Sequence, residues 1–331
     1  MSTFFSTVPG ALVLLVIGFV FLIKGADFFV EGASAVAKKL HVPALIIGMT
    51  IVAMGTSLPE CSVSVTASLA NANQLAIGNA VGSNIFNLMI VLGSCALFSS
   101  LAVSKETIKK DLPFSVLCAV LLLVTGLIGS SVGHVDGVIL LVVFVLFLIS
   151  MIRTALKARA TGADTGDMEI MDDSDIEDIA TWLCLVYIIG GAAAIKFGGD
   201  WVVNSASTLA LKFGMSEALV GLTICSVGTS LPELVTSIAA ARKNELDMAI
   251  GNVVGSNVFN ILFVLGIATA ISPISFITIN MIDLLVLCAF SAIVWLMIRK
   301  KQSLNRTDGI IMILLYVAYL AYIIIRDGGV A

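Results

Sequence analysis

The chain has 331 residues, of which 59% are hydrophobic and only 12% are charged. A soluble domain carries roughly 25% charged residues, so this composition excludes an ordinary soluble protein and predicts a polytopic membrane protein. We expect an all-α fold, because the bilayer core cannot satisfy the open edges of a β-sheet. The net charge of −4 says little by itself, whereas the distribution of lysine and arginine is informative.

Ten apolar segments follow one another along the chain, most of them near the length of about 20 residues that a membrane-spanning helix needs. No basic region or small-residue cleavage site accompanies the first segment, which we interpret as a retained span and not a signal peptide. The six cysteines fall singly within apolar stretches and predict neither disulfides nor a metal site. The segments lie near residues 9–37, 43–70, 75–98, 112–129, 136–153, 179–211, 217–241, 246–270, 281–298 and 308–325.

The basic residues predict the orientation of these segments. If both termini lie outside, the inner loops hold fourteen lysines and arginines and the outer side only Lys212 and Arg326, as the positive-inside rule requires. We therefore predict a multi-pass protein of the cell (inner) membrane with both termini on the extracellular or periplasmic side. The inner residues are Lys38, Lys39, Lys105, Lys109, Lys110, Arg153, Lys157, Arg159, Arg242, Lys243, Arg299, Lys300, Lys301 and Arg306.

Three regions follow from this topology. Residues 1–154 form an N-terminal five-helix repeat, residues 155–178 a cytoplasmic acidic linker, and residues 179–331 a C-terminal five-helix repeat. Because five spans are an odd number, the second repeat enters the membrane upside down, as in many secondary transporters. The linker lacks the spacing and the glycine of a calcium-binding EF-hand loop, so we expect a solvated linker.

An internal duplication marks the candidate site. Residues 48–93 recur 173 positions later as residues 221–266, and 25 of the 46 aligned positions are identical. Both copies contain GTSLPE and GNxVGSNxFN, whose glycine, proline, hydroxyl, amide and carboxyl residues are poorly suited to a surface that faces lipid. Composition alone would not preserve these motifs twice, and the sequence predicts that they form a polar centre with broken helices at the membrane midplane.

The GTSLPE motif predicts a broken helix that exposes oxygen atoms. Pro59 lacks an N–H and opens the preceding turn, Gly55 makes that opening inexpensive, and carbonyls near Ala53 are expected to become free. Thr56 and Glu60 are four residues apart, so both can project from the same face.

The second copy repeats this pattern with Thr229, Pro232, Glu233 and the carbonyl of Ser226. A glutamate at the bilayer centre costs about 2.5–3.5 kcal/mol on insertion scales, so two equivalent glutamates indicate a functional role and not only helix packing.

In GNxVGSNxFN, the pairs Ser83–Asn87 and Ser256–Asn260 are also four residues apart. Such an all-oxygen set suits hard cations such as Ca2+ and Na+, not zinc, copper or iron.

Charged residues also occur in the first and sixth apolar segments. Lys24 and Asp27 are three residues apart, and Lys196 and Asp200 are four apart. This spacing favours an ion pair within each helix over a role in transport.

The duplicated motifs closely resemble the alpha repeats of the sodium/calcium exchanger family, within the cation/Ca2+ antiporter superfamily, in its prokaryotic form. The resemblance covers nearly the whole chain and implies ten helices, Na+-driven Ca2+ antiport and movement of the first and sixth helices across a fixed core. By position, it assigns cation ligands to the side chains of Thr56, Ser57, Glu60, Ser83, Asn87, Thr229, Ser230, Glu233, Ser256 and Asn260 and to the backbone oxygens of Ala53 and Ser226.

Two departures from related sequences bear on the coupling ion. Proton-coupled relatives typically carry Glu-His where this chain has Gly82-Ser83 and Gly255-Ser256, and potassium-dependent members, as well as some prokaryotic exchangers, have Asp at the position of Asn260. The first departure argues against proton coupling. With Asn at both 87 and 260, the fixed charge of the predicted site is −2, and we predict exchange that does not depend on K+.

The main alternative is an H+/Ca2+ antiporter that uses the same two glutamates as proton carriers. A channel would not need duplicated broken helices, and an enzyme would need a nucleophile or metal centre that the sequence does not show. We expect Ca2+, Na+ and the lipid bilayer as partners, with no cofactor, nucleic acid or obligatory protein partner.

Overall fold

A computed structural model describes residues 7–161, 180–214 and 226–328. These residues are nearly all helical, as predicted, and the few extended residues form short two-stranded pairs between loops. The long helices are α1 (Val8–Leu40), α2 (Ala44–Thr56), α3 (Leu58–Leu69), α4 (Asn73–Phe98), α5 (Thr107–Gly129), α6 (His134–Thr161), α7 (Thr181–Lys212), α8 (Leu231–Arg242), α9 (Leu246–Ile271), α10 (Thr278–Lys301) and α11 (Arg306–Gly328).

The described helices confirm an all-helical, multi-pass membrane protein. Within these residues, eight helices are long and apolar enough to cross a bilayer, and α2 and α3 together form a ninth span that bends by 49°. The tenth predicted segment, 217–241, lies partly outside the described residues, and its second half is α8. The bend between α2 and α3 is the predicted helix break.

Helices α1 and α7 are the longest and pack closely against each other in opposite directions. A Cβ on Gly25 would lie 3.0 Å from the carbonyl oxygen of Gly191, and one on Gly18 would lie 2.9 Å from that of Gly198. Only glycine permits backbones to approach this closely. Since Gly191 and Gly198 stand 173 residues after Gly18 and Gly25, this antiparallel contact is the one that an inverted repeat predicts.

Helices α4 and α9 form the centre of the molecule and are mostly buried. A Cβ on Gly251 of α9 would lie 2.5 Å from the carbonyl oxygen of Leu45 in α2, so this contact also requires glycine. Helices α5, α6, α10 and α11 instead expose large apolar side chains such as Ile128, Val135 and Ile325. These outer helices are suited to contact lipid, and the polar motifs are enclosed between them.

Short strand pairs tie the two halves together at the helix ends. Leu101–Ala102 pairs with Ser303–Leu304, and Ser131–Val132 pairs with Ile274–Ser275, each pair being antiparallel. Each pair takes one strand from each half of the chain. The two halves are therefore joined by strand pairing as well as by helix packing.

Candidate cation site

The predicted break in the first repeat lies at Ser57, between α2 and α3. Its backbone (φ −85°, ψ 10°) leaves the helical region, and Pro59 follows in the first turn of α3, where a missing N–H is tolerated. The carbonyl of Ala53 accepts the amide N–H of Ser57 at 3.1 Å, so the break does not free this carbonyl completely, as the sequence had suggested. A carbonyl oxygen has a second lone pair, which remains suitable for a cation.

The second repeat breaks at the equivalent residue, Ser230, with nearly the same backbone angles (φ −92°, ψ 7°). Here the amide of Ser230 donates to the carbonyl of Val227 at 3.2 Å, three residues back instead of four. Ser226 begins the short helical turn Ser226–Gly228 that precedes the break. The two breaks are therefore equivalent in position and slightly different in their hydrogen bonding.

Each glutamate is held by a serine from the other repeat. Ser57 donates to Oε1 of Glu233 at 2.8 Å, and Ser230 donates to Oε1 of Glu60 at 3.1 Å. Ser83 also lies 3.4 Å from the same oxygen of Glu60. Both glutamates are completely buried. Because each serine donates to the glutamate of the opposite repeat, the two carboxylates lie in one cluster at the interface between the repeats.

Several buried oxygens of this cluster have no hydrogen-bond partner among the described residues. A buried oxygen of this kind is costly, and a group of them is the arrangement expected where a cation binds. The predicted ligands among them are Glu60 Oε2, Glu233 Oε2, Asn87 Oδ1, Ser256 Oγ and Asn260 Oδ1. Among the described residues, no group of three or more His, Cys, Asp or Glu side chains could bind a metal, and the predicted ligands other than the two glutamates are neutral oxygens.

A wide turn begins at each of the two predicted asparagine ligands. The stretches Asn87–Val91 and Asn260–Val264 are π-helical, a feature that often marks functional sites in helices. The amide nitrogen of Asn260 donates to Oδ1 of Asn84 at 3.1 Å. This bond fixes the amide so that its oxygen remains available to a cation.

A reciprocal pair of asparagines joins α4 to α9. The amide of Asn84 donates to the backbone carbonyl of Asn257 at 3.0 Å, and the amide of Asn257 donates to the carbonyl of Asn84 at 3.2 Å. The two residues are equivalent in the duplication, so the contact has the self-complementary form of an interface across a twofold axis. The site therefore lies where the repeats meet.

The predicted ligands of the first repeat and most of those of the second are buried, whereas Thr229 is half-buried. The sequence reasoning missed Asn79 and Asn252, which contact the breaks from α4 and α9. Their signal was present in the sequence, because both are the first asparagine of GNxVGSNxFN.

A cavity of about 850 Å³ leads to one side of this cluster. Its lining includes the predicted ligands Ser83 and Thr229, and also Gln74, Ile277 and Arg326. These three residues stand at helix ends on the side of the membrane where α11 ends, which we call the termini side.

On the opposite side, α1 contacts the end of α8 beside a smaller cavity of about 360 Å³. Lys243 donates to the backbone carbonyl of Asp27 at 2.9 Å and lies 3.3 Å from Oε2 of Glu31. The predicted pairs within α1 and α7 are also formed, at 3.7 Å for Lys24–Asp27 and 2.7 Å for Lys196–Asp200. Of these two cavities, the larger one is lined by predicted ligands of the cluster and the smaller one is not.

Comparison with known proteins places this architecture in a family. The family model described as sodium/calcium exchanger protein matches residues 10–153 and 183–325. The chain is 36% identical to inner membrane protein YrbG of Escherichia coli (94% of this chain, 96% of the relative) and 30% identical to sodium/calcium exchanger MaX1 of Methanosarcina acetivorans (93% and 96%). A solved structure of the sodium-calcium exchanger NCX_Mj superposes with a TM-score of 0.81 at 30% identity, covering 95% of this chain and 99% of that chain.

Fold and site together define a multi-pass membrane transporter built from two repeats, and not an enzyme. The chain belongs to the sodium/calcium exchanger family.

Proposed function

We propose that this protein exchanges Na+ for Ca2+ across the inner membrane, with alternating access to one central cation site. The observation that carries the proposal is the cluster of buried oxygens between the repeats, with the second oxygen of both Glu60 and Glu233 lacking a partner in the described residues. Membership of the exchanger family, and the printed names of MaX1 and NCX_Mj, support the same substrates.

The ligands are proposed to be carboxylate, amide, hydroxyl and carbonyl oxygens from both breaks and both π-helical turns. Oxygen ligands without sulfur or imidazole favour Ca2+ and Na+ over transition metals. The assigned residues are Ala53, Thr56, Ser57, Glu60, Ser83, Asn87, Ser226, Thr229, Ser230, Glu233, Ser256 and Asn260.

The charge of the site explains why the two ions would compete. Glu60 and Glu233 contribute a charge of −2, and the amides of Asn87 and Asn260 add none. One Ca2+ or two Na+ balance that charge, and an unbalanced charge in a low dielectric is costly to carry across the membrane. Na+ would therefore displace Ca2+ by occupying the same carboxylates.

Alternating access is proposed to arise from movement of α1 and α7 as a pair. Their backbones contact each other through glycines, so they can move together without repacking large side chains. The termini side would be extracellular or periplasmic, by the positive-inside rule. In this proposal, residues 1–154 and 179–331 are the two repeats, and residues 155–178 are a cytoplasmic linker.

The experiment is Ca2+ uptake into vesicles that contain the purified protein, driven in turn by a Na+ gradient, a H+ gradient and no gradient. We expect rapid uptake only with Na+ inside and absent outside. Uptake driven by H+ alone would support the H+/Ca2+ alternative, and equal uptake under all three conditions would contradict antiport.

A further inference from the structure

The first asparagine of each GNxVGSNxFN motif bridges the two repeats beside the proposed site. The amide nitrogen of Asn252 lies 3.5 Å from the backbone carbonyl of Glu233 and 2.9 Å from Oγ of Ser237. Since both neighbours accept from this nitrogen, the amide oxygen is turned toward the other repeat. There it lies 3.2 Å from Oγ1 of Thr56.

Asn79 makes the equivalent contacts in the first repeat. Its amide nitrogen donates to the backbone carbonyl of Glu60 at 3.2 Å and to Oγ of Ser64 at 2.9 Å. Its amide oxygen lies 3.4 Å from Oγ1 of Thr229. Each carboxamide therefore joins the glutamate backbone of its own repeat to the threonine of the other.

The hydroxyl group of Thr56 has more than one hydrogen-bond acceptor within reach. Oγ1 of Thr56 lies 3.2 Å from the carbonyl oxygen of Val52 and 3.3 Å from that of Ala53, besides its 3.2 Å contact with Asn252. A hydroxyl has one proton to donate and two lone pairs to offer. If the proton is donated to the carbonyl oxygen of Ala53, that hydrogen bond uses the lone pair that would otherwise be available to a cation. If it is donated to Asn252, both that carbonyl and the hydroxyl lone pairs face the site.

We propose that Asn252 and Asn79 are positioning residues that accept the hydroxyl protons of Thr56 and Thr229, and thereby aim the threonine and carbonyl oxygens at the bound cation. This inference rests on the proposed function, because it assigns a role beside the same site. Neither asparagine contacts the ion itself in this account. The prediction is that each asparagine acts through the threonine of the opposite repeat.

A double-mutant cycle on equilibrium 45Ca2+ binding to the purified, detergent-solubilised protein tests this. Thr56→Val and Asn252→Leu are each expected to raise the dissociation constant about tenfold, which corresponds to about 1.4 kcal/mol. The double variant is expected to stay near tenfold, because both changes remove the same interaction. A dissociation constant about a hundredfold higher in the double variant would overturn the proposal.

The matched control is the cross pair, Asn252→Leu with Thr229→Val, whose changes lie in different bridges. Here we expect nearly additive effects, about a hundredfold together. A cross pair that is as non-additive as the direct pair would show a general loosening of the site and would also overturn the proposal.

If Asn252→Leu does not fold, Asn252→Asp retains an oxygen acceptor for Thr56. In that background, Thr56→Val is still expected to raise the dissociation constant about tenfold, and no change would count against the proposal. Wild-type protein that binds Ca2+ no better than Glu233→Gln would overturn the proposed site and this inference together. Additive effects with an intact dependence on Glu233 would overturn this inference alone.

Discussion

Glu60 and Glu233 are held alike, since each accepts a hydrogen bond from a serine of the opposite repeat. The turns after α3 and α8 also match, with left-handed backbone at Asn71 and Asn244. The contacts of these turns differ, however. Lys243 reaches α1, whereas the equivalent residue in the first repeat is Ala70.

The residue that forms an ion pair with Lys243 is also not repeated in the other half of the chain. Glu31 of α1 corresponds to Asn204 of α7, which lines the cavity on the termini side. The proposed ion site is therefore nearly symmetric, whereas the residues around the two cavities are not. From this comparison we propose that cation binding depends on what the repeats share and that the balance between the two access states depends on where they differ.

The largest effect is expected from removing either carboxylate. Glu60→Gln and Glu233→Gln each remove half of the fixed negative charge, so we expect Na+-driven Ca2+ uptake to fall by about 100-fold or more in both. Glu106→Gln, which changes a carboxylate paired with Lys110, is the control and should transport normally. A Glu60→Gln protein that inserts correctly and transports at the wild-type rate would falsify the assignment.

Cross-linking α1 to the turn after α8 is expected to be nearly as severe. In a protein without its native cysteines, Glu31→Cys and Lys243→Cys joined by a reducible bifunctional thiol reagent should lower exchange by about tenfold or more, because α1 can no longer leave the core. Reduction should restore it. Phe28→Cys with Tyr187→Cys, whose rings lie 5.1 Å apart between α1 and α7, is the control.

Cross-linking the control pair joins helices that move together and should leave exchange nearly unchanged. Undiminished exchange in fully cross-linked Glu31–Lys243 protein would contradict the movement of α1 against the core.

Removing the lysine contact alone should have a smaller effect. Partly exposed ion pairs are worth about 0.2–1 kcal/mol, so Lys243→Met should shift the balance between the two open states by at most about fivefold. The readout is the rate at which a membrane-impermeant thiol reagent labels Ala239→Cys beside Lys243. We expect faster labelling in Lys243→Met, and the same rate as wild type in Lys110→Met. An equal increase in both would show that the contact is not specific.

The smallest effect concerns Glu245, in the turn that carries Lys243. Burial raises the pKa of this carboxyl from 4.5 to about 7, with a further contribution from Asp247, while Ser34 and Lys243 oppose the rise. A carboxylate with a raised pKa stabilises the fold at low pH, and that stability is lost as pH rises from about 4.5 to about 7.

The melting temperature should therefore fall more between about pH 5 and about pH 8 in wild-type protein than in Glu245→Gln. Glu106→Gln should behave as wild type. The same fall in wild type and Glu245→Gln would contradict this role for Glu245.

The sequence alone predicted the helical class, most helix positions and a helix break just before Pro59, because these follow from apolar length, proline chemistry and the internal duplication. It did not predict that α5 begins at Thr107, five residues before its apolar stretch, since charged residues extend a helix beyond the bilayer without an apolar signal. The four-residue spacing predicted that Thr56 and Glu60 share one helix face, but the break at Ser57 places Thr56 at the end of α2 and Glu60 in the first turn of α3.

Spacing could not show that Ser57 contacts Glu233, because that contact joins residues 176 positions apart. Ser57 entered the prediction through family resemblance only. The π-helical turns at Asn87 and Asn260 were not foreseen either, because a local widening of the helix depends on packing between α4 and α9. The roles of Asn79 and Asn252 depend on the same contacts between repeats.

The most direct test of the central claim is Na+-driven Ca2+ flux with K+ replaced by choline on both sides and the membrane potential clamped. The claim is that two glutamates and neutral oxygens suffice for both ions, since Asn260 offers an amide oxygen and no charge. We predict that flux is unchanged without K+ and is inhibited competitively by Na+ on the Ca2+ side. Flux that collapses without K+ would contradict the account.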